Sequence, residues 1–304
     1  MKNFLITGGA GFVGSHLAEQ LIKNGHCVTI LDDLNTGNIK NLEKIKEKIN
    51  FVEGDVRDKL LLQEICKKKD GIFHLAARAS VQESFIKFEE YQDVNVNGTE
   101  NIFRQAHEYG IKVVYASSSS VYGNPTELPI KENSSMNPIN PYAQTKVDKE
   151  NLATEYAKKG LQVIGMRYFN IFGERQSKEY AGVIKLFLEC IQNKLPPKIN
   201  GDGTQARDFV FVGDVVNANI LAMESDIDHA FFNVGTNTQI SILEIAQLMI
   251  TSANLDLKPI FGPELKGDVN LTIANIDLIK KSLNWNSTIT IQEWLKQKIS
   301  NLNY

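Results

Sequence analysis

The chain has 304 residues and a formal net charge of −3 at pH 7. At roughly 150 residues per domain, this length predicts about two folding units and a substantial hydrophobic core. Hydrophobic residues make up 42% and charged residues 23% of the chain, which is the composition of a folded globular protein. Because a net negative charge offers no basic field to a phosphate polymer, we expect no nucleic-acid partner.

The cysteines and histidines show no pattern of a cross-linked or metal-binding protein. Cys27, Cys66 and Cys190 lack the spacing of a disulfide framework or a zinc site, and the five histidines lack metal-ligand spacing. We therefore expect no bound metal. The apolar stretch before Thr7 is too short for a signal peptide, and no run approaches the roughly 20 apolar residues of a membrane span. These features predict a cytoplasmic protein without a membrane partner.

Strand-like and helix-like segments alternate along the first half of the chain. Short β-branched runs predict strands at residues 4–7, 27–32, 51–53, 71–75, 112–116 and 162–167. Helical spacing predicts helices at residues 13–24, 60–67, 94–109 and 143–159. Gly25, Gly110 and Gly160 follow three of these helices, at the position where a left-handed residue ends a helix. Strands that alternate with helices predict a parallel sheet covered on both faces.

After residue 167 the alternation is less regular, and glycine, proline and polar loops separate shorter elements. A helix is predicted over residues 181–193, and Pro196 and Pro197 end it. We predict an α/β fold in two parts. A Rossmann-like doubly wound parallel sheet spans residues 1–167, and a smaller C-terminal α/β cap occupies most of residues 168–304. Some segments of the second part are expected to return to the first.

A glycine-rich loop follows the first predicted strand. Gly8, Gly11 and Gly14 have the spacing of a dinucleotide-binding turn, and Phe12 and Val13 open the helix behind it. Gly8 permits a tight turn, Gly11 lets the backbone approach a pyrophosphate, and Gly14 lets the helix pack on the strand. The helix N-terminus adds free N–H groups and a positive partial charge. The loop therefore predicts a dinucleotide site.

Acidic side chains after the second and third strands indicate which dinucleotide binds. Asp32 ends the second strand, where a carboxylate accepts the hydroxyls of the adenosine ribose and repels a 2′-phosphate. Asp33 and Asn35 lie beside it, although Asp33 also fits a solvated strand end. Asp55 and Val56 follow the third strand and border the adenine in this interpretation, while a helix-capping role fits Asp55 equally well. The pattern favours NAD over NADP as the cofactor.

Tyr142 and Lys146 form a Y-x-x-x-K pattern that places both side chains on one helix face. The helix opens at Pro141 and follows a strand that runs into a row of serines, residues 117–120. A phenol with a pKa near 10 is a poor base at neutral pH. One ammonium about 4 Å away, at an effective dielectric near 20, supplies roughly the 4 kcal/mol that brings this pKa close to 7. The pattern predicts an acid/base tyrosine, with Ser118 placed to donate a hydrogen bond to the same substrate oxygen.

With these residues, the sequence resembles the extended short-chain dehydrogenase/reductase family, and within it the nucleotide-sugar 4-epimerases of the UDP-galactose 4-epimerase type. The resemblance covers nearly the whole chain and is carried by residues 7–14, 54–58, 74–77, 95–99, 117–123, 142–146, 167–173 and 201–209. It implies an NAD-dependent isomerase that inverts C4 of a nucleotide-diphosphate hexose, such as UDP-glucose or UDP-galactose, through a transient 4-keto sugar. It also implies a homodimer.

The resemblance assigns roles within this reaction. Tyr142 would take the proton of the sugar 4-hydroxyl, and Ser118 would share that oxygen. Lys146 would hold the nicotinamide ribose and lower the pKa of Tyr142. Hydride would pass from C4 to NAD and return to the other face of the sugar, so NAD is regenerated. The loop after the fourth strand would also border the cofactor, at Leu75, Ala76 and Ala77.

The resemblance also implies a substrate site in the second half of the chain. Asn170 and Arg207 match positions that hold the diphosphate, and a guanidinium is suited to such bidentate contacts. Leu265 stands where a second arginine is usual, and Lys266 is expected to substitute for it as a point charge. Thr272 replaces a bulky aromatic residue of some epimerases, so we expect tolerance of UDP-N-acetylhexosamines. The remaining implied substrate contacts are Ser119, Val183 and Asp268.

Two serines distinguish among related activities. Sugar 4,6-dehydratases carry an acidic pair, and nucleotide-sugar decarboxylases an acid, just before the Val-Tyr-Gly, where this chain has Ser119 and Ser120. Without a carboxylate for elimination, the site is limited to oxidation and reduction at C4. One alternative is an NAD(P)-dependent 4-keto reductase or dehydrogenase, which would exchange its cofactor freely. The other is a non-catalytic NAD-binding regulator.

Overall fold

The computed structural model describes residues 1–176, 182–265, 267, 269 and 271–301. Its main sheet consists of β1 (Asn3–Thr7), β2 (Cys27–Asp32), β3 (Ile49–Glu53), β4 (Gly71–His74), β5 (Val113–Ser118), β6 (Val163–Tyr168) and β11 (His229–Val234). The strands are all parallel and lie in the order β11-β6-β5-β4-β1-β2-β3. The order reverses at β1, with a crossover on either side, which confirms the doubly wound Rossmann-like sheet.

Helices cover both faces of this sheet. The first six are α1 (Phe12–Lys23), α2 (Lys59–Ile65), α3 (Val81–Ser84), α4 (Phe88–Gln92), α5 (Gly98–Tyr109) and α6 (Pro141–Lys158). Short 3₁₀ segments span Ile39–Lys48 and Ser119–Tyr122. One apolar core packs α1 against one face, and a second packs α2, α5 and α6 against the other. Burial on both faces explains why the strands are continuously apolar.

The predicted first-half elements agree with the structure to within about two residues at most ends, with one exception. The helix expected over residues 94–109 is divided: Asp93–Asn97 is a π-helical turn, and α5 follows it. The prediction that glycines end these helices in a left-handed conformation is confirmed, because Gly25, Gly110 and Gly160 have φ of +81°, +65° and +96°. A π-helical turn within an otherwise regular helix is frequent at functional sites, and this one contains Asn95.

The second half contributes to the main sheet and forms a smaller unit of its own. Here α7 (Val183–Gln192), α9 (Ile242–Ser252) and α11 (Ile291–Ser300) pack around a third apolar core. Three two-stranded sheets accompany them, built from β7 (Asn170–Phe172), β8 (Lys198–Asn200), β9 (Ala206–Arg207), β10 (Phe209–Phe211), β12 (Ile240–Ser241) and β13 (Ile260–Gly262). The first residue of the helix predicted over 181–193 lies outside the described residues.

Two helices of the second half, α8 (Val212–Glu224) and α10 (Asp277–Leu283), contribute to the apolar core of the main sheet together with β11. The division into residues 1–167 and 168–304 stays a prediction. Across the described ranges, we find no helix with both the length and the apolar character that a membrane crossing requires.

Candidate active site

The glycine loop forms a close crossing between β1 and α1. Gly8 has φ +71°, and a Cβ on Gly14 would lie 2.2 Å from the carbonyl oxygen of Gly8. Gly11 caps α1 without a side-chain hydrogen bond, and the first turn of α1 carries no acidic residue. The first N–H groups of this helix therefore face the loop without a protein anion, which is the arrangement that binds a phosphate. The cradle fits a dinucleotide pyrophosphate.

Asp32 lies at the end of β2 and faces the same crossing. It is 6% exposed and accepts N–H hydrogen bonds from Ala10 at 2.8 Å and Leu34 at 2.9 Å. Burial raises the pKa of the Asp32 carboxyl, while these two bonds oppose the rise. A Cβ on Gly37 would lie 2.5 Å from Asp32 Oδ1, so the chain passes close to the carboxylate. Its fixed position fits an acceptor for ribose hydroxyls.

A cavity lies beside these elements, and we call it the first cavity. Most of the predicted cofactor residues line it. Tyr142 and Lys146 lie on its wall, and Asn35 does not. Thr36, Gly37 and Arg78 border it without having been predicted. The predicted cofactor residues that line it are Gly8, Gly11, Phe12, Val13, Gly14, Asp32, Asp33, Asp55, Val56, Leu75, Ala76, Ala77 and Lys146.

Tyr142, Lys146 and Ser118 meet where α6 passes the end of β5. Asn140 caps α6 by accepting the Ala143 N–H at 2.8 Å. The Tyr142 phenol is hydrogen-bonded to Ser118. Lys146 Nζ lies 5.4 Å from the centre of the Tyr142 ring. Tyr142 therefore lies close to both Ser118 and Lys146.

The pKa of Tyr142 differs from the sequence-based expectation. We expected Lys146 to lower it, but burial raises the pKa of Tyr142 in the protein alone, and the hydrogen bond with Ser118 only opposes that rise. Burial also lowers the pKa of Lys146 to about 8, against a weaker opposing effect of Glu150. Both groups are thus biased toward their neutral forms, because charge is costly in a low-dielectric interior.

A second cavity lies beside the strand pair β7 and β10. Asn170, Val183, Arg207 and Leu265 are among the residues that line it. Lys266 and Asp268, the other predicted substrate residues on this segment, lie outside the described residues. In the described structure the second cavity therefore presents one predicted cation, Arg207, which is 7% exposed.

Three predicted substrate residues line neither the first nor the second cavity. Ser118 ends β5 and accepts the Ser120 N–H at 3.2 Å, and Ser119 begins the 3₁₀ turn after it. Thr272 is 4% exposed, and its hydroxyl accepts the backbone N–H of Asp208 at 3.5 Å. The structure thus places the Thr272 hydroxyl against the backbone rather than toward open space.

A buried chain of hydrogen bonds links the glycine loop to α6. His74 is 0% exposed, and its ring nitrogens contact the hydroxyls of Thr7 at 2.7 Å and Thr99 at 2.8 Å. The Thr99 hydroxyl donates to the carbonyl of Asn95, whose side chain donates to Thr145 at 3.0 Å. Since Thr99 donates onward, it accepts from His74 Nε2–H. Burial lowers the pKa of His74, so Nδ1 is left without a proton and accepts from the Thr7 hydroxyl. Sequence reasoning took His74 only as the end of a strand.

Three ion pairs were also missed. Arg78 donates to Asp33 at 2.9 Å and to Glu90 at 2.8 Å on the wall of the first cavity. Arg167 and Glu150, both almost fully buried, form a bidentate pair with distances of 2.6 Å and 2.9 Å. None of these pairs has a local spacing signal, because each joins elements that meet only in the folded chain. Among the described residues, no group of three or more His, Cys, Asp or Glu side chains is placed to hold a metal ion.

Comparison with known proteins agrees with this geometry. The family model described as the NAD dependent epimerase/dehydratase family matches residues 4–235. The crystal structure of UDP-glucose 4-epimerase from Thermotoga maritima, with UDP-glucose, superposes with a TM-score of 0.93 at 33% identity, covering 98% of this chain and 97% of that one. UDP-N-acetylglucosamine 4-epimerase from Methanobrevibacter ruminantium also gives a TM-score of 0.93, at 34% identity and the same coverage.

A third relative carries a different activity. The UDP-N-acetyl-alpha-D-glucosaminuronate decarboxylase of Bacillus cytotoxicus is 40% identical over 253 residues, which cover 81% of this chain and 78% of the relative. The resemblance drawn from the sequence is confirmed, and NAD is the cofactor of the family. The glycine cradle, the Asp32 carboxylate and the Tyr142–Lys146 pair thus lie in a chain that belongs to the NAD-dependent epimerase/dehydratase family.

Proposed function

We propose that this chain is a UDP-sugar 4-epimerase that inverts C4 of a UDP-hexose. The observation that carries the proposal is that the Tyr142 phenol, on the wall of the first cavity, has the Ser118 hydroxyl and the Lys146 amine beside it. A phenol and a hydroxyl that share a hydrogen bond can exchange a proton with a sugar alcohol between them. Nothing in this arrangement requires a metal ion or a carboxylate.

The first cavity is proposed to hold NAD. The N-terminus of α1 and the loop from Gly8 to Gly14 would receive the pyrophosphate, and Asp32 would accept the adenosine ribose hydroxyls. NAD, when bound, supplies a hydride acceptor that later returns the hydride, and it adds a positive charge near the acid/base residues. Lys146 would contact the nicotinamide ribose from the opposite wall.

The protein's own groups then handle the proton. Tyr142 is the proposed proton acceptor for the 4-hydroxyl, and Ser118 holds the same oxygen through its hydroxyl. Because burial favours the neutral phenol, the positive charge of protonated Lys146 is needed to offset that cost during transfer. When the hydride returns, Tyr142 gives the proton back, so the residues end in their starting state.

The second cavity is proposed to hold the UDP diphosphate, through Asn170, Val183 and Arg207. Tight binding of the diphosphate there would leave the sugar free to turn between its two faces. Ser119, Lys266 and Asp268 stay predicted contacts of the substrate. This arrangement suits an epimerase, because the second cavity would hold the nucleotide while the acid/base residues at the first cavity accept either face of the sugar.

The chemistry at the end of β5 favours epimerisation over decarboxylation or dehydration. Ser119 and Ser120 occupy the positions where those enzymes are expected to carry acids. A hydroxyl is a far weaker acid/base than a carboxyl group at neutral pH, so it does not promote elimination at C5 and C6. Oxidation and reduction at C4 need only Tyr142, Ser118, Lys146 and the cofactor.

Tolerance of an N-acetyl group is a further part of the proposal. A relative that shares the fold is named for UDP-N-acetylglucosamine, and Thr272 is smaller than the aromatic residue expected at this position in some epimerases. Comparable rates for UDP-glucose and UDP-N-acetylglucosamine in the wild type, but not in Thr272→Tyr, would support this role. The same ratio of rates for the two substrates in the wild type and in Thr272→Tyr would contradict this role.

Two further properties are proposed without a direct structural test. A homodimer is expected from the family resemblance, and a single monomer peak in analytical ultracentrifugation would contradict it. A reducing cytoplasmic compartment fits the free cysteines Cys27, Cys66 and Cys190, which are exposed, buried and partly exposed, respectively.

The proposed function is tested by incubating the purified protein with UDP-glucose, UDP-N-acetylglucosamine and UDP-glucuronate, with no added reductant. We expect one of these to give its 4-epimer, resolved by chromatography. NAD retained through desalting separates the epimerase from a 4-keto reductase, which must exchange NAD(H). Retained NAD with no epimer from UDP-, GDP-, dTDP- or CDP-hexoses would contradict the proposal and favour the regulator.

A further inference from the structure

A buried carboxylate lies next to the second cavity and has no role in the account above. Asp208 is 0% exposed and follows Arg207 directly in the chain. Its Oδ1 accepts the N–H and the hydroxyl of Thr236, both at 2.7 Å. Its Oδ2 accepts the N–H groups of Asn237 and Ala274, both at 3.0 Å. One carboxylate thus binds both the loop after β11 and the segment before α10 to the residue that follows Arg207.

The backbone of Asp208 extends the same arrangement to the other side. Its carbonyl accepts the Asn170 N–H at 3.0 Å, within the pairing of β7 and β10. Arg207 and Asn170 both line the second cavity, and Asp208 is the residue that connects them. The side chain of Asp208 does not reach that cavity, so it would act through its neighbours.

We propose that Asp208 is a positioning residue for the substrate: its carboxylate holds Arg207 and Asn170 in the arrangement that binds the sugar nucleotide, and its protonation weakens that binding. The inference rests on the proposed function, because it takes the second cavity as the diphosphate site. The proposed role concerns substrate binding and not the cofactor, since Asp208 does not line the first cavity.

The negative charge matters because all four partners of the carboxylate are donors. Three of the four partners are backbone N–H groups, which can only donate, and the Thr236 hydroxyl is the one partner that can accept from a protonated carboxyl group. Protonation therefore removes the charge that strengthens the three N–H bonds and reverses or breaks the bond with the hydroxyl. Burial raises the pKa of Asp208 to about 6, while the four hydrogen bonds oppose the rise. The groups that bond to the carboxylate are uncharged, and Arg207 is the charged residue next to Asp208 in the chain.

The test measures binding of UDP-glucose to the NAD-loaded protein by calorimetry. The diphosphate of UDP-glucose keeps its charge over this range, so a pH effect reports the protein. Because a group with a pKa of about 6 is mostly protonated at pH 5, the wild-type Kd should rise about tenfold from about pH 7.5 to about pH 5. In Asp208→Asn, an NH₂ group replaces one acceptor and faces at least one backbone N–H, with which it cannot form a hydrogen bond. Its Kd should already be about tenfold higher at pH 7.5 and should change little with pH.

Two further variants separate positioning from a general effect on folding. Asp214 is another buried carboxylate that accepts the N–H and hydroxyl of one threonine, Thr288, at 2.9 Å and 2.6 Å. Asp214→Asn should bind UDP-glucose with the wild-type pH profile. Thr236→Val removes one donor to Asp208, so the midpoint of the pH profile should move to higher pH, with wild-type affinity above it. This shift can be measured even if Asp208→Asn fails to fold.

A wild-type affinity that is constant between these pH values would overturn the inference. Wild-type binding by Asp208→Asn, or an unchanged midpoint in Thr236→Val, would do the same. The proposed function fails in a different way: Arg207→Leu would then bind UDP-glucose as tightly as the wild type. Weak binding by Arg207→Leu together with normal binding by Asp208→Asn rejects the positioning role and leaves the substrate site in place.

Discussion

Lys146 Nζ lies 5.4 Å from the centre of the Tyr142 ring, one turn along the same helix. The same nitrogen donates a hydrogen bond of 3.1 Å to the carbonyl of Ala116, on the strand that ends in Ser118. This bond fixes the amine against β5, so the helix and the strand hold the phenol, the hydroxyl and the amine together. The pKa of Lys146, lowered by burial to about 8, makes its charge sensitive to pH in the range where enzymes are assayed.

Turnover should therefore decline as the pH rises above about 8, because Lys146 loses the proton that offsets the cost of ionising Tyr142. Lys146→Met removes the charge at similar length and should lower kcat by at least about 100-fold. Lys158→Met, at an exposed position of the same helix, is the matched control and should keep wild-type activity. A kcat that stays constant or rises up to about pH 9.5 would contradict this role.

Unfolding does not explain the expected decline. A lysine with a lowered pKa in the native state binds fewer protons than in the unfolded state between about pH 8 and its ordinary value. The contribution of Lys146 to the free energy of unfolding thus increases as the pH rises through that window. A thermal scan alongside the kinetics distinguishes the two, since the Lys146 contribution should not lower Tm where kcat falls.

Asp32→Asn should weaken NAD binding by about tenfold or more. The carboxylate accepts the N–H groups of Ala10 and Leu34 and is proposed to accept ribose hydroxyls, and hydrogen bonds to a charged acceptor contribute about 1.5–3 kcal/mol. Asp58→Asn is the control, because Asp58 caps α2 and does not line the first cavity. The NAD content after gel filtration measures the effect. Wild-type NAD content in Asp32→Asn would argue against the ribose contact.

Arg167→Leu should reduce the free energy of unfolding by about 3–5 kcal/mol, because it leaves the Glu150 carboxylate buried without its partner. The loss includes the 2.7 Å hydrogen bond from Arg167 to the Tyr122 hydroxyl. Arg57→Leu breaks two solvent-accessible pairs, with Asp55 and Asp93, and should cost less than about 2 kcal/mol. Urea denaturation of both variants compares the two. Equal losses would show that the Arg167 pair contributes no more than a surface ion pair.

The fold was predictable where local patterns repeat. Apolar β-branched runs and glycine stops located the strands and helices of the first half, because each pattern depends on a few neighbouring residues. The return of β11 to the edge of the sheet was not located, since pairing with β6 depends on contacts between residues far apart in sequence. The π-helical turn at Asp93–Asn97 was missed for the same reason: Asn95 bonds Thr145 across to α6.

The site was predictable where a short motif carries the chemistry. The glycine loop, Asp32 and the Tyr142–Lys146 pair met in one cavity, as their spacing indicated. Burial was not predictable from spacing, and it sets the pKa of Tyr142 in the direction opposite to the one expected from Lys146 alone. The His74 chain and the Asp208 carboxylate were also missed, because their partners come from distant segments.

The proposed reaction depends on the Tyr142 phenol, which transfers the proton of the sugar alcohol. The most direct test compares Tyr142→Phe with Tyr156→Phe, a buried tyrosine on the same helix outside both cavities. Epimer formation is measured by chromatography on protein with equal NAD content. We expect Tyr142→Phe to lose about 10²–10⁴-fold in kcat and Tyr156→Phe to retain its rate. Wild-type turnover by Tyr142→Phe would contradict the account.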